Sequence, residues 1–368
     1  MGVFKKVKKK KMKKENKKNK AEKYRRACNY LMAIRYYKLD LKKNYSVETI
    51  YGLADVYRMI GRFNDALNLY KEGMDVSKRL KDDALYSDGL IGYGMAKRGL
   101  GDYDSAFRDF LTAERIYKKL EDKEGEAYCR WCIGGYFRIK GELKKSLKSF
   151  KRAYLIFKKC KIKDGKAYSL CGMAGTLRVM GNFKSSLEYY KKANKIFKEV
   201  KDKFGLAYSN CGIGSAYRML NKGIKARRFY KIAEKIYKNI KDKIDYGYVL
   251  LGFANTLVVD RNLKVALKYN KRIIELFKKS NDKRGLVYGY LQLGEIYRLL
   301  RKILLARSFF RKAYEISSKN GLKLEEIHSK LGLFLCGSLK VNPIKKYSKF
   351  NTKWTSVLKR NNFTLNFP

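Results

Sequence analysis

Hydrophobic and polar positions recur along this chain with a period of 40 residues. One register holds a small side chain seven times in succession: Ala66, Ala106, Ser146, Ser186, Ala226, Ala266 and Ala306. A large ring stands four residues later in most copies (Tyr70, Phe110, Phe150, Tyr190, Tyr230, Phe310), with Asn270 interrupting the series. Gly73, Ala113, Ala153, Ala193, Ala233 and Ala313 follow three residues further on. Spacings of four and three place all of these on one stripe of an α-helix.

A preceding segment carries its own apolar series, Leu53, Tyr93, Ile133, Met173, Ile213, Phe253 and Leu293, each followed by Gly or Ala. Between the two segments stands Gly61, Gly101, Gly141 or Gly181, replaced later by Asn221, Arg261 and Arg301. Each unit therefore reads as helix A, a turn, helix B and a polar connector such as Asp202-Lys203-Phe204-Gly205. The connector Asp is placed to cap the next helix A by accepting from its free first-turn amides. Neither helix can bury its stripe alone, so stacked neighbours must share one core and stability should fall gradually as terminal repeats are removed. Two prolines in 368 residues agree with uninterrupted helices, because Pro removes a backbone donor and clashes with the preceding turn.

A small residue in helix A, Gly at the turn, then Ala, ring and Ala on helix B resembles the tetratricopeptide repeat family, here in a 40-residue, long-helix form over residues 46–325. The family's Trp near the start of helix A and its Pro after helix B are absent. The resemblance implies an all-α solenoid, a right-handed superhelix of helix-turn-helix units, that binds another macromolecule without catalysis. Residues 1–21 read as a disordered polybasic tail and 22–45 as an N-terminal capping helix and linker. Residues 326–340 read as a C-terminal capping helix, and 341–368 as an irregular tail.

The resemblance also implies that the concave face is lined by one side of each helix A. Those positions hold Arg58, Arg98, Arg138, Arg178, Arg218 and Arg298, with Val258 as the gap, and begin at rings such as Tyr128, Tyr168 and Tyr208. Repeats three to five carry no acid at these positions; their inner residues include Trp131, Cys171 and Cys211. A ladder of arginine and tyrosine suits an acidic ligand, since guanidinium offers planar charged hydrogen bonds and Tyr a flat apolar surface with a polar tip. The same residues serve equally well as struts between repeats. The family's carboxylate clamp needs Lys and Asn at positions that here are mostly Gly, including Gly52, Gly92, Gly172 and Gly212, which argues against chaperone-tail binding.

Charge sharpens this picture. Eighty-seven Lys and Arg stand against 34 Asp and Glu, a formal +53, which favours an acidic partner. An acidic protein or peptide segment in the groove is the first expectation. Nucleic acid bound by the tail and the Arg/Tyr groove is the alternative, and membrane contact would be peripheral. Seven scattered cysteines without a signal segment fit a cytoplasmic setting.

No cofactor, metal or enzymatic activity is expected. The single histidine is His328, and Cys129-Arg130-Trp131-Cys132 has no second Cys or His pair to complete a zinc site.

Overall fold

The computed structural model describes residues 17–343 and Leu365. All seventeen of its regular elements are α-helices. Two short helices, α1 (Lys17–Arg26) and α2 (Tyr30–Leu41), precede the repeats. The A helices are α3 (Val47–Met59), α5 (Asp83–Leu100), α7 (Lys123–Ile139), α9 (Lys163–Val179), α11 (Lys203–Met219), α13 (Lys243–Val259) and α15 (Lys283–Leu299). They alternate with the B helices α4 (Phe63–Arg79), α6 (Tyr103–Lys119), α8 (Leu143–Lys159), α10 (Phe183–Glu199), α12 (Gly223–Asn239), α14 (Leu263–Lys279) and α16 (Ile303–Lys319). A last helix, α17 (Lys323–Leu335), follows.

The N-terminal end differs from the sequence expectation. The stretch read as tail is already helical from Lys17, and Ala21 is fully buried because α1 packs on α2. Residues 1–16 lie outside the described residues, as do 344–364 and 366–368 of the C-terminal tail.

Local chemistry explains where the helices start and stop. The carboxylates of Asp82, Asp122, Asp202, Asp242 and Asp282 accept from first-turn amides of their A helices, satisfying donors that have no partner inside the helix. Each A helix ends on a left-handed residue, with φ of 81° at Gly61 and 83° at Gly181. Glycine adopts this conformation without a Cβ penalty. Arg261 and Arg301 hold the same place at φ 63° and 59°, so the turn survives the loss of glycine.

The ring on each B helix supplies the mortise between repeats. Phe150 lies against Gly134 of its own A helix and Gly172 of the next; Tyr230 does the same with Gly214 and Gly252. The rings are buried and the glycines leave no gap. Where Asn270 replaces the ring, Gln292 replaces the facing glycine of the next repeat. Asn270 Nδ2 donates to Gln292 Oε1 at 2.8 Å, and Gln292 Nε2 donates to Asn255 Oδ1 at 2.9 Å. An amide pair joined by one hydrogen bond thus fills the volume that a ring and a glycine fill elsewhere.

The superhelix winds tightly enough for its turns to meet. A Cβ on Gly61 would lie 3.3 Å from Ile244 Cδ1, and one on Gly321 would lie 3.4 Å from Lys140 Nζ. Ile139, Val179, Phe183 and Met219 belong to the same buried cluster as Leu324, Leu331 and Leu365. The A–B turns of repeats two to five therefore rest on the C-terminal end of the coil. This lateral contact encloses the concave face.

Candidate functional site

Among the described residues, cavities that share lining residues follow one another along the enclosed face and form a channel. One, of about 520 Å³, is lined by Arg58, Tyr128, Trp131 and Tyr168 from repeats one to four. A second, of about 390 Å³, adds Arg98, Arg138 and Tyr208. A third, of about 290 Å³, is bounded by Arg138, Arg178, Tyr208, Arg218, Arg284 and Tyr288. Of the arginines and aromatic residues that the sequence places on the concave face, Arg58, Arg98, Tyr128, Trp131, Arg138, Tyr168, Arg178, Tyr208 and Arg218 each line one of them, whereas Arg298 and the inner Cys171 do not.

The guanidinium groups differ sharply in their surroundings. Arg58 donates from Nη2 to Asp55 at 2.9 Å and from Nε to the Tyr70 hydroxyl at 3.4 Å. It is internally answered. Arg298 forms two hydrogen bonds to Glu295, 2.8 and 2.9 Å long, and Glu295 also accepts from the Leu365 amide. It lies away from the channel as a strut. Arg178 leans on the Tyr190 hydroxyl, and Arg218 is only 5% exposed.

Arg98 and Arg138 have no carboxylate in ion-pairing reach among the described residues. Arg98 lies over the Trp131 ring, 5.9 Å from its centroid, and Arg138 over Phe150 at 5.7 Å. Each extends across the next repeat, where glycine leaves room: a Cβ on Gly135 would come 3.1 Å from Arg98 Nη1, and one on Gly175 would come 2.5 Å from Arg138 Nη1. Burial, followed by the like charges of Arg58 and Arg138, pushes the Arg98 pKa below the ordinary guanidinium value. An anion entering here would relieve both penalties.

The rings are positioned rather than loose. Trp131 donates its indole N–H to the Tyr168 carbonyl at 3.2 Å, and the Tyr168 hydroxyl donates to Asp202 at 2.7 Å. Tyr128 is 38% exposed and packs edge-on against Phe157.

Sequence reasoning missed one residue common to all three cavities: Asp245. Its register holds Gly125, Gly165, Gly205 and Gly285 in other repeats, and that substitution was the available signal. Burial, then the neighbouring Asp242 and Asp282 carboxylates, hold its pKa well above the usual carboxylate value. Burial raises Asp242 to about 6. The channel is therefore not purely basic; it carries arginines along one stretch and a carboxyl cluster at the repeat-six wall.

A carboxyl raised on folding contributes stability that is fully present below its unfolded pKa, near 4, and is lost as pH rises through its folded value. Asp245→Asn should accordingly raise stability at pH 8, with the gain shrinking toward pH 4. Thermal melts of parent and variant across that range check the sign.

The single histidine and the Cys129/Cys132 pair are buried. Burial lowers the His328 pKa to about 3 despite nearby Glu325, so its ring is neutral. Cys129 and Cys132 are buried in α7, and burial raises Cys132 to about 11. Among the described residues no group of three or more His, Cys, Asp or Glu side chains is arranged to hold a metal ion, and no helix is long and apolar enough to cross a membrane.

Residues 47–80, the first helix pair, match the tetratricopeptide repeat family, and the chain as a whole is an α-solenoid of tetratricopeptide type. Solved structures of similar fold include a Rap protein complexed with Competence and Sporulation Factor. It is 14% identical with a TM-score of 0.61, the match covering 91% of this chain and 98% of that one. The Rap conjugation gene regulator of plasmid pLS20, in complex with the Phr* peptide, is 12% identical with a TM-score of 0.60, covering 95% and 98%. The tetratricopeptide repeat sensor of a signal-transduction ATPase from Pyrococcus horikoshii is 19% identical with a TM-score of 0.51, covering 83% of this chain and 47% of that one. No curated protein sequence matches the chain.

Proposed function

We propose that the chain is a non-catalytic adaptor that holds an extended peptide or protein segment in the superhelical channel. Acidic groups of that segment lie against Arg98 and Arg138, and a basic group lies toward Asp245. The observation that carries this reading is the pair of guanidinium groups held in an enclosed, aromatic-walled channel without a carboxylate partner. A ligand carboxylate can form charged hydrogen bonds there, flanked by Trp131 and Tyr168. Support for a peptide also comes from the similarly folded Rap regulator, whose structure contains the Phr* peptide.

An array of peptides graded in Asp and Glu content tests the proposal. The parent should retain acidic members, and R98Q/R138Q should bind them about 10²- to 10³-fold more weakly, because charged hydrogen bonds are worth about 1.5–3 kcal/mol each and do not add fully. The variant should melt no lower than the parent, since removing like charges relieves repulsion. Equal retention of neutral and acidic peptides, or undiminished binding by the variant, would sink the proposal.

A further inference from the structure

A second feature lies outside the channel, on the convex side of the coil. Five residues after the small register position, six of seven B helices carry a basic residue: Lys71, Lys151, Lys191, Lys231, Lys271 and Arg311. Seven residues further, six of seven carry lysine: Lys78, Lys118, Lys158, Lys198, Lys238 and Lys278. Leu111 and Ser318 complete the rows, so no acid occupies either, and all twelve basic residues are exposed. A separation of seven residues is two helical turns, so both rows run along one flank, about 10 Å apart. Successive repeats continue each row along the coil.

Ordinary helix chemistry accounts for only part of this pattern. The second row falls in the last turn of helix B, where cations complement the helix dipole. The first row is mid-helix and has no such reason. Solubility alone would be served as well by Glu, whose pairing with Lys stabilises exposed helices. Among the described residues only Lys118 and Lys238 of the two rows meet a carboxylate, from Glu114 and Glu234.

We infer that these rows form a binding stripe for the phosphate backbone of a nucleic acid strand. Lysines are point charges on flexible stems, suited to phosphates rather than to bidentate recognition of bases. The exposed apolar residues within the span of the rows, Leu111, Leu155 and Ile232, stand singly and offer an acidic protein no anchoring patch there, while Ile303, Leu304 and Leu305 lie together outside that span in the first turn of α16. A flat bilayer touches a convex coil over few repeats, whereas a flexible strand follows the curve. Among the described residues no exposed ring array lies beside the rows to stack bases, so recognition is independent of sequence.

The full-length chain is titrated with a fluorescein-labelled oligothymidylate of about 30 nucleotides, with a matched duplex, and with phosphatidylserine vesicles. K151Q/K191Q/K231Q/K271Q should weaken oligonucleotide binding at low salt by about tenfold or more, and flatten the dependence of log K on log salt by roughly 3. K43Q/K163Q/K241Q/K302Q removes the same charge from exposed positions off the stripe and should leave binding within about twofold of the parent. Equal losses in the two variants would reduce the effect to net charge and overturn the stripe. So would a loss confined to vesicles while the oligonucleotide binds as before. Circular dichroism of both variants, whose substitutions are all at exposed positions, confirms that they are folded.

Discussion

Gly212→Val is expected to remove about 3 kcal/mol of stability or more, a large share of what holds a repeat in place. A Cβ at Gly212 would overlap three atoms of the Tyr190 ring. That ring is 3% exposed and must shift to admit the added atoms. Alanine should destabilise less, because its better helix propensity returns up to about 1 kcal/mol. Tyr190→Leu should rescue the alanine variant in part, since the two positions share one volume. Urea melts of the four proteins measure the coupling; additive losses would show that the ring is not what confines the glycine.

Glu325→Ala should be comparably severe, at about 3–5 kcal/mol, because it strands the buried Arg284 guanidinium. Glu325 is fully buried; it accepts from Arg284 Nε at 2.7 Å and from the Tyr288 hydroxyl at 3.0 Å. Against the penalty of burial, Arg284 holds its pKa below the usual carboxylate value. A carboxylate lowered on folding contributes stability that is present above its unfolded pKa and lost as pH falls through the folded one. Acid should therefore weaken the parent through this pair below about pH 4.5. Glu325→Gln should flatten that limb of the curve while lowering stability at pH 7. If melting near pH 3 and pH 7 shifts equally in parent and Gln variant, the pair contributes nothing to acid sensitivity. At pH 7 the neutral ring of His328 beside it supplies no compensating charge.

The repeat was legible because its information is local. Ala66 and its six successors, the rings, and the glycines at the turns are spaced by helix geometry and recur at a fixed interval. The inner arginines and tyrosines followed from the same register. Burial of Arg218 and the stacking of one turn upon another depend on superhelical pitch, a small rotation accumulated over many repeats, and no single residue encodes it. The Asp245 cluster was hidden for a related reason: its importance comes from Asp282 in the next repeat and from enclosure, both distant in sequence. Asn270 was visible as an exception, but only its contact with Gln292 shows why the exception is tolerated.

The meeting of successive turns changes the mechanics of the molecule. A solenoid whose repeats touch only their sequence neighbours behaves as a chain of links, each yielding separately. This coil, with Gly61 set against Ile244 and Met219 sharing a cluster with Leu331, is a spring already wound to solid height. Such a spring resists compression and gives way only in extension. A segment entering the channel from the side must first stretch it, parting the lateral contacts of several repeats together. For the proposed ligand, recoil would then grip the bound segment, so the contacts that slow entry would also lengthen the stay.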